Sequence, residues 1–179
     1  MSEIKKILVT GCAGFIGYHT TKELLKREYE VIGLDILNDY YDVRLKDYRL
    51  DKLINLGLSS YDFQFYRADI RNEFAIFNLL RENKVDAIIN FAAMAGVENS
   101  IKNPELYFDT NLQGTLKLLK MCELFGIKKF IQASTSGIYA GQKMPFIETL
   151  ALNTPISPYT ASKKCVEVLG HTYSYLYDI

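Results

Sequence analysis

The chain has 179 residues, of which 49% are hydrophobic and 23% are charged, and these proportions are typical of a globular protein with one sizeable core. Its 21 basic and 21 acidic side chains balance, so no overall charge attracts it to nucleic acid or to an anionic membrane surface. The sequence has no run of about 18 apolar residues, so no membrane span is predicted. The apolar run near the N-terminus is too short for the hydrophobic region of a signal peptide. We therefore expect one cytoplasmic domain, with neither nucleic acid nor a membrane as its partner.

Cysteine and histidine residues are few and scattered. Cys12, Cys122 and Cys165 are odd in number, lie far apart and form no CxxC pair, so they predict reduced thiols rather than a disulfide framework or a zinc site. His19 and His171 have no metal-ligand partner at helical spacing. The sequence therefore predicts no catalytic metal.

Apolar segments that are typical of buried parallel strands recur along the chain at residues 6–10, 30–35, 63–69, 87–91 and 129–134. Helix-length stretches separate them, and residues 45–56 predict an added helix between the second and third strands. Parallel neighbours need long crossovers, which are right-handed in nearly all proteins. The pattern therefore predicts an α/β fold, a doubly wound parallel sheet with helices on both faces.

The clearest helix is predicted over residues 111–125. Leu112, Leu116 and Leu119 recur at helical spacing, and Gly126 follows as a C-terminal stop. This apolar stripe predicts a helix that covers the sheet.

Three glycines directly follow the first predicted strand and open a helix. In this order Gly11 permits a tight turn, Gly14 lets backbone N–H groups approach a pyrophosphate at the positive helix end, and Gly17 lets helix and strand pack closely. Because the glycines lie between a strand and a helix, they predict a dinucleotide-binding loop rather than a simple turn.

An acidic residue, Asp35, ends the next predicted strand. Its carboxylate can accept hydrogen bonds from the ribose hydroxyls of adenosine and would repel a 2′-phosphate, so it favours NAD over NADP. Ligands of open parallel sheets bind beyond the carboxyl ends of the strands. Further candidate cofactor contacts at those ends are Asp69, Ile70, Phe91, Ala92 and Ala93.

Tyr159 and Lys163 are predicted to share one face of a helix that begins after Pro155-Ile156-Ser157-Pro158. A phenol is a poor base near neutrality, but a neighbouring ammonium and a cationic nicotinamide favour the phenolate form. A hydroxyl cluster at 134–136, after the fifth strand, can orient the same substrate oxygen. This set of groups predicts proton exchange with a substrate hydroxyl, coupled to hydride transfer.

Together these motifs resemble those of the extended short-chain dehydrogenase/reductase superfamily, in its NAD-dependent epimerase/dehydratase family. The resemblance rests on TGCAGFIG at 10–17, NLQGT at 111–115 and YTASK at 159–163, and it covers nearly the whole chain. DILNDYYDVRLKDYRL at 35–50 and AAMAGVENS at 92–100 are similar to UDP-glucuronate 4-epimerases of capsular polysaccharide biosynthesis. The resemblance implies that residues 1–179 form an NAD-binding Rossmann domain.

By this resemblance, the reaction converts UDP-glucuronate to UDP-galacturonate through transient oxidation at sugar C4, and NAD is regenerated in each cycle. Tyr159 is then the acid/base, Lys163 binds the nicotinamide ribose, and Thr135 is the hydroxyl partner, with Ser136 as the second choice. The remaining cofactor contacts in this assignment are Phe15, Ile16, Asn38 and Asn111.

The chain also departs from the family pattern. Glu98 stands where the branch usually has Arg, which favours a neutral UDP-sugar over a uronate as an alternative substrate. Ala140 and Asn90 replace a usual Gly and a frequent His. Sugar 4,6-dehydratases are a further alternative, but they carry Asp-Glu where this chain has Ser136-Gly137.

Extended members of the superfamily continue after the Tyr–Lys helix with a C-terminal portion that closes over the nucleotide sugar. We expect that substrate domain to be absent here, because of a truncated product, an interrupted gene or a separate partner, and we expect weak or no turnover. The alternative function is a non-catalytic NAD-binding module. The helical segments 104–125 and 159–177 are predicted to form a homodimer interface, as similar enzymes dimerise through this pair.

Overall fold

The computed structural model describes residues 4–58, 62–150, 152 and 154–179. In this part of the chain, parallel strands form one sheet in the order β3-β2-β1-β4-β5. The strands are β1 (Lys6–Thr10), β2 (Glu30–Asp35), β3 (Phe63–Arg67), β4 (Ala87–Asn90) and β5 (Lys129–Gln132). The winding direction reverses between β1 and β4, so the predicted doubly wound α/β sheet is confirmed.

Helices connect the strands and cover the sheet. They are α1 (Phe15–Lys26), α2 (Val43–Leu58), α3 (Glu73–Glu82), α4 (Val97–Lys102), α5 (Pro104–Tyr107), α6 (Gly114–Phe125) and α7 (Pro158–Tyr177). A π-helical segment, Phe108–Gln113, joins α5 to α6, and a 3₁₀ turn covers Ser136–Tyr139. The added helix that the sequence predicts over residues 45–56 is confirmed as α2.

The core lies on both faces of the sheet, which explains why the strands read as continuous apolar runs. On one face Leu8 and Ile88 pack with Leu118 of α6, and all three side chains are fully buried. On the other face Val9 packs with Leu53 of α2. Truncation of such a side chain to alanine costs about 2–5 kcal/mol of folding free energy.

Three strands end earlier than the sequence predicts, at Arg67, Asn90 and Gln132. In β3 the cause is local: the carboxylate of Asp69 accepts a hydrogen bond from Arg71 N at 2.8 Å and turns the chain out of the sheet. Such side-chain turns compete with the ladder of a strand. The residues beyond these strand ends are thereby freed for the site described below.

The helix predicted over residues 111–125 differs in two ways. Its regular α-helical part begins at Gly114, because residues 108–113 adopt π-helical geometry. The stripe that joins the core of the sheet is formed by Leu118, Met121 and Cys122, whereas Leu112 and Leu116 are half-buried. A π-helical turn shifts the helical register, so the leucine spacing identifies the helix but not its buried face.

Helix α7 begins where the sequence predicts. Ser157 is its N-cap and forms a reciprocal capping box with Thr160, and Pro158 occupies the first turn, where its missing N–H costs nothing. Helix α7 packs against α4, α5 and the π-helical segment. The cap therefore fixes the start of the helix that carries Tyr159 and Lys163.

Candidate active site at the carboxyl edge of the sheet

The loop between β1 and α1 passes very close to the loop after β4. Gly11 has a φ of 68°, and a Cβ at this position would lie 2.8 Å from the backbone nitrogen of Ala92. A Cβ at Gly17 would lie 2.1 Å from the carbonyl oxygen of Gly11. Both positions require glycine, because the loop turns tightly and α1 begins close to the strand ends.

The N-terminus of α1 is open. Gly14 is its N-cap and offers no side-chain acceptor, so it does not cap the first N–H groups of the helix. The side chains of Phe15 and Ile16 are 67% and 60% exposed. These two residues therefore have only backbone N–H groups to offer an anion at the helix end.

Asp35 is buried at the end of β2. Its Oδ2 accepts a hydrogen bond from Ala13 N at 3.1 Å, and its Oδ1 accepts one from Leu37 N at 2.9 Å. The carboxylate thus holds the glycine-rich loop and also lines the cavity described next.

A cavity of about 440 Å³ opens beyond the carboxyl ends of the strands. It lies at the point where the winding of the sheet reverses, which is where ligands bind in open parallel sheets. The structure brings together here the following predicted cofactor contacts: Gly11, Gly14, Asp35, Asn38, Asp69, Ile70, Phe91, Ala92 and Ala93.

Lys46 of α2 also lines this cavity, and sequence reasoning missed it. Its ammonium donates to the carbonyl oxygen of Asn38 at 2.9 Å and to Asn38 Oδ1 at 2.5 Å. Burial lowers the pKa of Lys46, although the nearby carboxylate of Asp35 opposes this effect. A lysine in a polar helix reads as a surface residue, so no sequence signal identified it.

Asp69 is engaged by a neighbouring cation. Arg71 Nη2 lies 2.7 Å from Asp69 Oδ2, and Lys117 Nζ donates to the carbonyl oxygen of Arg71 at 2.6 Å. Burial raises the pKa of Asp69, but the hydrogen bonds from Arg71 outweigh burial and hold that pKa below its usual value. Asp69 therefore stays ionised at the wall of the cavity.

Asn111, a further predicted cofactor contact, is buried and is not among the residues that line the cavity. Its Oδ1 accepts a hydrogen bond from Met94 N at 2.8 Å, and its Nδ2 donates to Met94 O at 3.0 Å and to Ser162 Oγ at 2.9 Å. Ser162 lies between Tyr159 and Lys163 on α7. Asn111 thus links the loop after β4 to the helix that carries this pair.

Tyr159 and Lys163 lie on α7, outside the 440 Å³ cavity. The ring of Tyr107 contacts the ring of Tyr159 edge to face, with a centroid distance of 6.1 Å. Lys163 is 3% exposed, and among the described residues no hydrogen bond or ion pair reaches its ammonium. Burial lowers the pKa of Lys163 to about 8, and the charge of Glu167 opposes this effect.

The hydroxyl cluster separates into three environments. Thr135 is half-buried, caps the 3₁₀ turn and accepts a hydrogen bond from Gly137 N at 3.2 Å. Gly137 is narrowly enclosed between Thr135 and Thr160, so Thr135 lies near the first turn of α7. Ser136 is exposed, and Ser134 donates to Glu167 Oε1 at 2.5 Å.

Among the described residues, no group of three or more His, Cys, Asp or Glu side chains is arranged to hold a metal ion. Within the same part of the chain, no helix is both long and apolar enough to cross a membrane. All three cysteines are free thiols, and Cys12 and Cys122 are buried.

The fold and this edge of the sheet define a dinucleotide-binding domain of the short-chain dehydrogenase/reductase class. Residues 8–179 match the family model described as GDP-mannose 4,6 dehydratase, and the chain belongs to that family. The predicted resemblance to the NAD-dependent epimerase/dehydratase family is thereby confirmed.

Relatives with known names refine this comparison. The chain is 48% identical to a UDP-glucuronate 4-epimerase of Thermodesulfobacterium geofontis over 96% of this chain and 52% of the relative. It is 39% identical to Protein CapI of Staphylococcus aureus over 97% of this chain and 51% of the relative. The chain thus spans about half the length of these curated relatives.

A solved structure has the same fold. The UDP-glucuronic acid 4-epimerase of Bacillus cereus, crystallised with UDP-glucuronic acid and NAD, matches with a TM-score of 0.87 at 36% identity. The match covers 97% of this chain and 54% of the other. UDP-glucose 4-epimerase of Thermus thermophilus, in complex with NAD, matches with a TM-score of 0.83 at 34% identity.

Proposed function

We propose that residues 1–179 form the NAD-binding and catalytic half of a UDP-sugar 4-epimerase that interconverts UDP-glucuronate and UDP-galacturonate. The observation that carries this proposal is the link from Met94 through Asn111 to Ser162, because it ties the wall of the cavity to the helix of Tyr159 and Lys163. The names and bound ligands of the relatives support the same reaction.

The residues of the cavity fit NAD. Gly11 and Gly14 leave backbone free to approach a pyrophosphate, and the open N-terminus of α1 favours its negative charge. The carboxylate of Asp35 is able to accept hydrogen bonds from the ribose hydroxyls of NAD and would repel the 2′-phosphate of NADP. Bound at these residues, NAD would supply the hydride acceptor and donor that an epimerisation at sugar C4 needs.

Side chains of this chain transfer the proton of the C4 hydroxyl. Tyr159 exchanges a proton with the C4 hydroxyl, and Lys163, one helical turn further on, supplies a positive charge that favours the phenolate. Thr135 holds the same hydroxyl, with Ser136 as the second candidate, and so orients it for transfer. Because Lys163 has no described partner, its donors are free for the ribose of the cofactor.

A neutral UDP-sugar is the second candidate substrate. Glu98 lies exposed in the first turn of α4, on the segment that follows the cavity wall. A carboxylate there disfavours a uronate, since like charges repel.

We further propose a cytoplasmic homodimer that acts in polysaccharide biosynthesis. Leu124 of α6 and Val168, Tyr175 and Leu176 of α7 are 60%, 57%, 84% and 58% exposed. Such apolar side chains on two packed helices fit a helix-pair interface with a second copy. Sedimentation that finds only monomer at high concentration contradicts this part of the proposal.

The test of the function is epimerisation followed by proton NMR. UDP-glucuronate and UDP-glucose are each incubated with the chain and NAD, while calorimetry measures NAD binding. Interconversion that is lost in Tyr159→Phe supports a 4-epimerase and identifies its sugar. NAD binding without turnover supports the alternative, a non-catalytic NAD-binding module, whereas absence of NAD binding contradicts both functions.

A further inference from the structure

Tyr40 connects two walls of the cofactor cavity. It lies between β2 and α2, and its hydroxyl donates to the carbonyl oxygen of Ala95, in the loop after β4, at 2.5 Å. Asn99 Nδ2 donates to the same hydroxyl at 3.3 Å. Both loops line the cavity, so the contact joins one wall of the cavity to the other.

The carbonyl oxygen of Ala95 also accepts a hydrogen bond from the hydroxyl of Tyr107, at 2.5 Å. Tyr107 is buried, and its ring contacts Tyr159 edge to face. One backbone carbonyl thus joins the segment after β2, through Tyr40, to the tyrosine that packs against the proposed acid/base.

Gly96 leaves the space that the hydroxyl of Tyr40 occupies. Gly96 has a φ of 92°, and a Cβ there would lie 2.7 Å from the hydroxyl oxygen of Tyr40. Asn38 Nδ2 lies 3.9 Å from Met94 Sδ and adds a weak second link between the same two segments. The two walls therefore meet at two points beside the cavity.

We propose that Tyr40 is a positioning residue that fastens the loop 91–96 to the segment 36–42 over the bound dinucleotide. This inference rests on the proposed function, because the cavity is assigned to NAD there. Release of the cofactor requires the two walls to separate, so the Tyr40 contact slows its exchange. A cofactor that is retained serves both hydride steps of one turnover.

Tyr40→Phe tests the link because it removes the hydroxyl and keeps the ring. Bound NADH is displaced by excess NAD in a stopped-flow fluorimeter, and the dissociation rate is read from the loss of NADH fluorescence. Loss of one hydrogen bond predicts a dissociation rate about 3- to 10-fold faster, with a smaller change in Kd because association also accelerates. Gly96→Ala displaces the same hydroxyl and is expected to have the same effect.

Tyr48→Phe is the matched control, because Tyr48 is an exposed tyrosine of α2 outside the cavity lining. It is expected to leave the dissociation rate unchanged. An unchanged rate in both Tyr40→Phe and Gly96→Ala overturns the proposal. A lower melting temperature with no change in rate also overturns it, since that result assigns Tyr40 to stability alone.

Hydrogen exchange without cofactor separates this inference from the proposed function. If the unaltered chain does not bind NADH, the proposed cofactor role fails, and exchange alone decides the role of Tyr40. Peptides that span 36–42 and 91–97 are expected to exchange about 3- to 10-fold faster in Tyr40→Phe than in Tyr48→Phe. Equal exchange in the two variants overturns the link between the walls.

Discussion

Glu167 lies one helical turn beyond Lys163 on α7, and its carboxylate is bound by Ser134 and Lys164. Ser134 Oγ donates to Glu167 Oε1 at 2.5 Å, and Lys164 Nζ lies 2.9 Å from Glu167 Oε2. Lys163 is therefore buried without a close counterion among the described residues, and its pKa is lowered to about 8 by burial. Folding thus places a largely buried cation at the position where the proposed reaction needs one.

The first prediction is that Lys163→Met stabilises the chain. At neutral pH the buried ammonium opposes folding, so its removal is expected to raise the free energy of unfolding by about 1–3 kcal/mol. Denaturant unfolding at pH 7 measures the difference. Lys164→Met is the control, because that lysine is ion-paired and only partly buried. Equal effects of the two substitutions contradict the prediction.

The stability that Lys163→Met adds is expected to decrease as the pH rises. The pKa of Lys163 is lower in the folded chain than in the unfolded chain, so between about pH 8 and 10.5 the unfolded state binds more protons. Stability of the unaltered chain rises across this window relative to Lys163→Met, and the advantage of the variant shrinks. An advantage that is constant from pH 7 to 10 contradicts the assigned burial cost.

A second prediction contrasts two glycines that are both replaced by alanine. In Gly17→Ala the new Cβ would lie 2.1 Å from the carbonyl oxygen of Gly11, so we expect a loss of about 3 kcal/mol or more. Gly170 lies inside α7, and apart from its own helix backbone no atom of the described residues lies within 4 Å of such a Cβ, so Gly170→Ala is expected to gain about 0.5–1 kcal/mol. Thermal unfolding of both variants measures the contrast, and a shift of the same sign in both contradicts it.

The parts of the site that the sequence predicts are those with a local backbone cause. Gly11 and Asp35 belong to a strand, turn and helix whose geometry demands these residue types at short spacing. Tyr40 and Asn111 act through contacts across the fold: Tyr40 meets Ala95, 55 positions away, and Asn111 meets Ser162, 51 positions away. No periodicity encodes such pairs, so their roles emerge only from the folded chain.

The strands illustrate the same division. Apolar runs predict that the strands exist and that they are buried. Strands β1 and β2 have the bounds that the sequence predicts. The early ends of β4 and β5 depend on how neighbours pair, since Asn90 lies opposite Gln132 at the last ladder position. Register between strands is a tertiary property, and apolar runs alone do not determine it.

A third prediction concerns the buried amide of Asn90. Its Oδ1 accepts from Thr10 Oγ1 at 2.5 Å, and its Nδ2 donates to Thr115 Oγ1 at 3.1 Å and to Gln132 Oε1 at 2.8 Å. Asn90→Ala leaves buried polar atoms without partners, so we expect a loss of about 2–4 kcal/mol. Gln132→Ala removes one link and is expected to cost less. A double-mutant cycle that finds no coupling between these two positions contradicts the network.

A fourth prediction tests cofactor choice at Asp35. In Asp35→Asn the repulsive charge is removed, while an amide of similar size remains near Ala13 N and Leu37 N. Under the proposed function, NAD affinity is expected to fall about tenfold because a neutral acceptor binds ribose hydroxyls less strongly, and the preference for NAD over NADP is expected to fall by at least about tenfold.

Lys46 provides the internal control for that experiment. Its ammonium lines the same cavity and interacts with the charge of Asp35. Once that carboxylate is gone, the ammonium of Lys46 is able to pair with a 2′-phosphate, so adding Lys46→Met is expected to reverse most of the gain for NADP. Calorimetric titration of both cofactors into the single and double variants measures each step. An NAD preference that survives Asp35→Asn unchanged removes Asp35 from the discrimination, and a gain for NADP that survives Lys46→Met removes Lys46 from it.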